Sequence, residues 1–582
     1  MTPAQWILIT LLILMLATMA SERFRLEVVA ATGLTLAFLL GLVPGQSVFS
    51  GFAHPAVITV AEILILVGAL QASHIMDRVS VAMTRYLRGP RSLLSGIICL
   101  GAGLSMFMNN IGALALMIPL TMSVCSHAGI PPKRMLMPLS FATLLGGTCS
   151  LIGTPANLIV SDVLAAERGS GFFFFDFAAV GIPATLAGLA AIIIIAPLLF
   201  RSATNKGESL DQAHFSNTLL ITEARIPKGS DWIGRLLPEI DAELEGSVGG
   251  VFRDAAHVFG RRESIALQEG DILFLEGNHR KVQVAETKGS IAVRRNKSGL
   301  GARRLDAVVV PQSVVLGSRL STLAGFESSN IQIEAVTSLR KRLEGRFSDL
   351  QLAIGDVLHL TGPSDVTRKI AEEHGLLVLS ADLASHKDSP GRFVGLGFLA
   401  AVLVTATGIL RPELAFGATI VALALLGKID IPDTLRNINW PILIMLAAMI
   451  PIGAAVETTG TAQAIANLVL GIMPGASQLA IYTGIVLCAV IITPFVNNAS
   501  AAIVLAPIAL EIAHTSGIPL EGALLAVAIG VSLDFLTPFG HHNNTIIMGV
   551  GGYRFVDFPR LGMPLLLVIA VPVILALHWL NA

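Results

Sequence analysis

Met108-Asn109-Asn110-Ile111-Gly112-Ala113 leads into an apolar run that reaches Pro119, and Val496-Asn497-Asn498-Ala499-Ser500-Ala501 leads into one that reaches Pro507. The Asn pair and the proline recur at one offset, 388 (497 minus 109, 507 minus 119). A second echo follows at 387 (540 minus 153): Gly153-Thr154-Pro155-Ala156-Asn157 and Gly540-His541-His542-Asn543-Asn544. Amides inside apolar segments, at matching places in two halves, point to a transport site at a repeat interface.

The repeat extends to the start of the chain. Arg25, Glu27, Gly41 and Pro55 reappear as Arg411, Glu413, Gly427 and Pro441, each at offset 386 (411 minus 25). The segment at 5–20 therefore answers the apolar segment at 391–408 and reads as a retained first span. A secretory signal would need Lys or Arg near its start, and none is there.

Composition agrees. The 582 residues are 53% hydrophobic and 14% charged, with mean hydropathy +0.74. Soluble domains carry about 25% charged residues, so much of this chain belongs in lipid. A net charge of −1 gives no footprint for nucleic acid. Cys99, Cys125, Cys149 and Cys488 lie apart in apolar surroundings, without metal or disulfide spacing, and are expected to be buried free thiols. No cofactor motif is present.

About 20 apolar residues cross the hydrocarbon core. Spans are expected near 5–20, 26–43, 56–73, 134–166 and 173–200, and again near 391–409, 413–427, 439–457, 520–550 and 557–580. Two interrupted stretches, 92–126 and 478–513, carry the Asn pairs. Arg78, Arg85, Arg88 and Arg91 precede the first stretch, and Lys133 and Arg134 follow it. If positive flanks face the cytoplasm, that stretch enters and leaves on one side as a re-entrant hairpin. Counting onward puts Arg201 inside, Lys428, Arg436, Arg554 and Arg560 inside, and the second hairpin's mouth outside. The expected fold is an α-helical polytopic membrane protein with about 10 spans, an inverted repeat and two re-entrant hairpins. Its repeats are 1–202 and 389–582.

The polar segment between the halves is itself duplicated. Ile226-Pro227 and Gly270-Asp271-Ile272-Leu273 match Val310-Pro311 and Gly355-Asp356-Val357-Leu358, at offsets of 84 and 85 (310 minus 226, 355 minus 270). Two small α/β modules, 203–296 and 297–388, are expected on the cytoplasmic side, with short strands at Ile272–Leu275 and Val357–Leu360. No phosphate-binding glycine loop occurs in them.

A desolvated ion needs replacement ligands, and broken helices offer free carbonyls, free N–H groups and neutral amides. Asn supplies both a carbonyl and an NH₂. Helix N-termini, each worth about half a positive charge, attract anions. Such N-termini are expected after Asn110, Pro155, Asn498 and Asn544. The candidate anion site comprises Asn109, Asn110, Thr154, Asn497, Asn498, Ser500, His541 and His542. The candidate cation ligands are Asn110, Ser150, Gly153, Asn157, Asn498, Thr537, Gly540 and Asn544. Against these stands the plainer reading in which the Asn and His residues only cap helices. Glu62 and Asp534 are ionisable residues at membrane depth, where function is the default reading. Asp534 is a candidate to help hold a cation, whereas Glu62 has Ala448 at its repeat position.

These hairpins, the stretch from Gly146 through Asn157, and Gly551-Gly552-Tyr553-Arg554-Phe555-Val556-Asp557-Phe558 resemble the divalent anion/sodium symporter (DASS) family of the ion transporter superfamily. The likeness is to its sulfate-permease-like branch, and the duplicated insert resembles paired TrkA-C modules. The resemblance implies an elevator-type homodimer in the cell's inner membrane, with Na⁺ at each hairpin and an anion between them. It also implies a small regulatory ligand on the modules. Dicarboxylate members carry Ser-Asn-Thr at each tip. Here the triplets are Asn109-Asn110-Ile111 and Asn497-Asn498-Ala499, without the threonine hydroxyls. Sulfate is therefore the expected substrate. A dicarboxylate or sulfonate symporter, a cation/proton antiporter and an arsenite-type exporter are alternatives on the same scaffold.

Overall fold

Prolines and glycines punctuate the helices. In the computed structural model Pro55, Pro90, Pro155 and Pro412 each begin a helix, where a missing N–H costs nothing. Gly41 and Gly427 adopt φ of +73° and +62° after equivalent helices, and Gly129 and Gly517 adopt +66° and +72°. Only glycine takes this left-handed conformation readily. The same turn thus closes the same helix in both halves. The structure describes residues 1–20, 26–71, 87, 89–200, 219–254, 256–258, 260–293, 302–310, 313–323, 326, 329, 331–338, 347–379, 391–429, 431–436, 438, 440–472, 475–495, 498–538 and 540–580. Arg25, Arg78, Arg85, Arg88, Arg201 and Asn497 fall outside them.

The first half comprises α1 (Pro3–Ala20), α2 (Leu26–Leu39), α3 (Pro55–Gln71), α4 (Pro90–Ser105), α5 (Asn110–Ala128), α6 (Leu136–Gly147), α7 (Pro155–Arg168) and α8 (Ala178–Leu199). Helices α4 and α5 pack together around the turn at 106–109, the geometry of a hairpin with the Asn pair at its tip. The expected span at 134–166 is broken into α6 and α7.

A mixed α/β region follows, built from β1 (Leu219–Arg225), α9 (Leu237–Leu244), β2 (Ser247–Arg253), β3 (Ala256–His257), β4 (Ile272–Asn278), α10 (His279–Lys288), β5 (Ala292–Val293), β6 (Ala302–Val309), β7 (Gln332–Ser338), β8 (Val357–Pro363), α11 (Ser364–Glu373) and β9 (Leu376–Val378). The expected strands lie in β4 and β8. The duplication is visible in detail: β4 and β8, α10 and α11, and β2 and β7 each start 85 residues apart (357 minus 272, 364 minus 279, 332 minus 247). Gly270 and Gly355 take φ of +87° and +86° in equivalent turns. The two copies share one antiparallel sheet, ordered β3-β2-β4-β1-β7-β8-β6-β9, because β1 pairs with β7 from Leu219↔Ser338 to Thr222↔Ala335. In the first copy Arg253 grips the buried Asp271 with both ends of its guanidinium, at 2.7 and 2.8 Å. That carboxylate holds the Arg253 pKa above its ordinary value.

The second half comprises α12 (Gly391–Ala406), α13 (Pro412–Leu425), α14 (Ile431–Arg436), α15 (Trp440–Thr458), α16 (Thr461–Ile472), α17 (Gln478–Ile492), α18 (Asn498–Ser516), α19 (Leu520–Ser532), α20 (His542–Gly551) and α21 (Asp557–Leu580). Helix α16 had no counterpart among the expected spans. The span expected at 520–550 is broken into α19 and α20. Among the described residues five helical segments are long and apolar enough to cross a membrane: Gly45–Ala69, Ala178–Leu199, Trp440–Thr458, Asn498–Ser516 and Asp557–Leu580. Shorter apolar helices surround them.

The core runs through both halves, and α6 is buried along its whole length. Val308, Val310, Val357 and Leu379 of the α/β region join that core. Cysteines divide differently from expectation. Cys125 and Cys149 are buried free thiols, but Cys99 and Cys488 are exposed. The outer face of a membrane protein is itself apolar, so apolar surroundings in sequence did not imply burial in the fold.

Candidate functional site

Two helix breaks carry most of the candidate residues. In the first, between α6 and α7, Asn157 Nδ2 donates to the carbonyls of Gly147 and Ser150, at 3.2 and 2.7 Å. In the second, between α19 and α20, Asn544 Nδ2 donates to the carbonyls of Asp534 and Thr537, at 2.9 and 3.1 Å. All three pairs of positions differ by 387 (544 minus 157, 534 minus 147, 537 minus 150). One fold of the backbone is thus made twice, each time tied by an amide whose two N–H groups take up carbonyls that the interrupted helix leaves open.

Caps are equivalent too. Thr154 accepts from the N–H of Asn157 at 3.3 Å, and His541 Nδ1 accepts from the N–H of Asn543 at 3.1 Å. His541 stands 387 after Thr154 and does its capping work. Asn109 likewise caps α5, accepting from Gly112 at 2.7 Å. For these three candidates, Thr154, His541 and Asn109, the capping geometry is what the fold displays. The Ser150 hydroxyl donates to the Met106 carbonyl, tying the first break to the hairpin turn. Thr537 Oγ1 accepts from the Gly540 N–H at 3.2 Å.

Asn110 is buried, with Oδ1 accepting from Ser105 Oγ at 2.8 Å. A methyl group at Gly147 would collide with that Oδ1 and lie 3.1 Å from the Gly153 carbonyl oxygen. Asn110, Gly147 and Gly153 therefore converge. The Asn498 amide, 7% exposed, has neither polar atom hydrogen-bonded among the described residues. Asn157 Oδ1, Asn543 Oδ1 and both carboxylate oxygens of Asp534 share that condition. Buried polar groups are normally satisfied, so these exceptions are the side chains that ask for a functional explanation. Ser500 is buried on α18, with its hydroxyl 3.9 Å from Met19 Sδ. His542 opens α20 and is half-buried.

Asn543 escaped sequence reasoning. Its Nδ2 donates to the backbone carbonyl of Asn110 and to Thr143 Oγ1, both at 3.0 Å. Ser140 Oγ donates to Asn544 Oδ1 at 2.8 Å. The second break is therefore stitched to the first hairpin tip and to α6, while α18 packs against α7. The signal was present as a departure from the repeat, since Asn543 stands where the first copy has Ala156. Glu62, by contrast, faces Gly417 of α13.

The family profile described as a citrate transporter (CitMHS) matches residues 12–530. The chain belongs to the citrate transporter family. This family lies within the ion transporter superfamily, and its members are transporters, not enzymes. The chain is 25% identical over 577 residues to an uncharacterized transporter of Synechocystis, covering 96% of this chain and 94% of that protein. It is 26% identical to an uncharacterized transporter of Escherichia coli, covering 98% of each. It is also 28% identical over 286 residues to sodium/sulfate cotransporter 2 of Chlamydomonas reinhardtii, covering 44% of this chain and 32% of that protein. These relationships fit the sulfate-permease-like likeness of the hairpin motifs. This citrate transporter family member is a multi-pass membrane protein whose helices are interrupted where its polar side chains gather.

Proposed function

We propose that the chain is a secondary active transporter that couples Na⁺ to the symport of a divalent inorganic anion, sulfate. The observation that carries the reading is the pair of equivalent breaks, where buried Asn157 Oδ1 at the first and the Asp534 carboxylate and Asn543 Oδ1 at the second have no hydrogen-bond partner among the described residues. At the first break Asn110 Oδ1, the Gly147 and Gly153 carbonyls and Asn157 Oδ1 offer neutral oxygens to a cation. At the second, Thr537, Gly540, Asn544 and Asn498 hold the matching places. The anion lies between, met by the N-termini of α5, α7, α18 and α20 and by the Asn498 amide. Helix N-termini and N–H groups bind an anion without a buried guanidinium. Sulfate is a compact tetrahedron of oxygens that one such cluster can surround. Dicarboxylates need two separated donor sets, and the hairpin threonines that would serve them are replaced by Ile111 and Ala499.

In this reading the two halves form an inverted repeat of about 10 spans with two re-entrant hairpins. The α/β region faces the cytoplasm of a cell whose inner membrane holds the protein. The transporter works as a homodimer by an elevator-type movement, and a small ligand on the α/β region biases that movement. A ligand there acts only through different affinities for the two end states.

The family's description supports a second substrate, citrate. Uptake of labelled sulfate into proteoliposomes, with and without a Na⁺ gradient, decides between them. We expect Na⁺-driven sulfate uptake that excess citrate or succinate leaves largely intact. Strong citrate or succinate uptake with none of sulfate would refute the sulfate assignment.

A further inference from the structure

The two breaks share a backbone but not a charge. Gly147 and Asp534 occupy the same place, 387 residues apart, as do Gly153 and Gly540. At the first break Gly153 packs on the bare backbone of Gly147, and the Asn110 amide oxygen fills the space that a side chain on Gly147 would need. At the second, position 534 does carry a side chain. Its carboxylate packs against Gly540, close enough that a methyl group on Gly540 would collide with it. Asp534 is 1% exposed, and neither of its oxygens is hydrogen-bonded among the described residues. Its backbone carbonyl meanwhile accepts from Asn544. The residue's backbone carbonyl is taken up by the fold while its carboxylate has no partner among the described residues.

We propose that the Asp534 carboxylate is a direct ligand of the cation bound at the second break. This inference rests on the cation-coupled reading above and makes the two cation sites chemically unequal. The first site offers neutral oxygens alone, so a monovalent cation there helps to neutralise the anion. The second offers a full negative charge in a desolvated place, so its cation neutralises the protein. A buried carboxylate without a partner is costly, and a cation between its oxygens and the carbonyls of the break removes that cost. Gly540 keeps the approach open. Any larger residue there would occupy the ground that carboxylate and cation share.

The test separates ligation from a merely structural role by sign. Purified full-length protein in detergent is melted over a Na⁺ titration, without any anion substrate, for the wild type, Asp534→Asn and Asp534→Glu. In Na⁺-free buffer Asp534→Asn should melt above the wild type, because it removes an unpaired buried charge. Added Na⁺ should then raise the wild-type melting temperature. The half-saturating Na⁺ concentration should increase at least tenfold in Asp534→Asn and less in Asp534→Glu. If Asp534→Asn keeps its Na⁺ affinity within twofold, this assignment is wrong while coupling at the first site stands. A wild type stabilised by acid and indifferent to Na⁺ overturns ligation as well, giving the carboxylate a proton instead. If neither Na⁺ nor acid moves any variant, and the liposomes show no Na⁺-driven uptake, both this inference and the cotransport reading fall. Should Asp534→Asn not fold, Gly540→Ala tests the same contact and should weaken Na⁺ binding comparably; unchanged binding in that variant overturns the proposal.

Discussion

Gly549 of α20 lies directly against the carbonyl of Gly355, in the turn that leads into β8. A methyl group on Gly549 would stand 2.7 Å from the Gly355 carbonyl carbon and 3.0 Å from its Cα. Backbone meets backbone there, so nothing flexible can yield. The helix that begins at the second break is thus in contact with the α/β region. We expect Gly549→Ala to separate the two surfaces, raising protease sensitivity of the α/β region and altering the transport rate. Substrate preference should be unchanged. A variant with wild-type rate and protease pattern would show that the contact carries no influence.

Asn543 gives a second test. Asn543→Ala removes one donor from the Asn110 carbonyl and one from Thr143 Oγ1, and each lost hydrogen bond is worth about 0.5–1.5 kcal/mol. The loss should be partly shared with Thr143→Val, so a double-mutant cycle should return a coupling of about 0.5–3 kcal/mol. Strict additivity in denaturation would mean that the two side chains do not interact.

The Asn498 side chain has no hydrogen-bond partner among the described residues, whereas Asn110 accepts from Ser105. Asn498→Ala should therefore leave thermal stability nearly unchanged while abolishing uptake. Asn110→Ala should lose both. Normal uptake by purified Asn498→Ala would remove that amide from the site.

His541 caps α20 as Thr154 caps α7. Replacing it with threonine should preserve the cap, and replacing it with alanine should cost about 1 kcal/mol. Full transport in His541→Thr would confine His541 to capping, and loss of transport with stability intact would give the imidazole a further role.

The α/β region should hold together on its own interactions. Asp271→Asn weakens the two-pronged grip of Arg253 and should lower the melting temperature of that region in the full chain. Sulfate selectivity should be untouched. A selectivity change measured by competition would place part of the anion site there.

Much of this architecture was legible from residues that punctuate backbone. Asn109 and Asn110, Gly41 and Gly427, Pro155 and the glycines of the α/β turns mark places where only certain residues fit, so their echoes survive when apolar segments have drifted apart. The breaks at 147–155 and 532–542 followed from such marks. What stayed hidden was which half touches which. Ser140 and Asn544 are ordinary polar residues 404 positions apart, and no periodicity connects them. Helix α16 was missed because its short run follows α15 after a single glycine turn. The joining of the two duplicated modules into one sheet rests on the β1–β7 edge, which neither module's own pattern announces. His541 was singled out for its chemistry, and the structure displays a backbone cap.

Helix α6 is buried along its whole length, and the groups that satisfy it come from the far end of the chain. Tyr553 accepts from the N–H of Met137 and donates to the carbonyl of Lys133, while Asn543 and Asn544 engage Thr143 and Ser140. A ribosome adding about 5–20 residues per second needs roughly 20–80 s to travel from Ser140 to Asn544. For that interval the nascent first half lies in or beside the bilayer with Ser140, Thr143 and the Met137 N–H lacking these partners, although α4, α5 and α8 already pack on α6. Until then those polar groups have only water or the insertion machinery to turn to, and a chain cut short before residue 540 never supplies their partners.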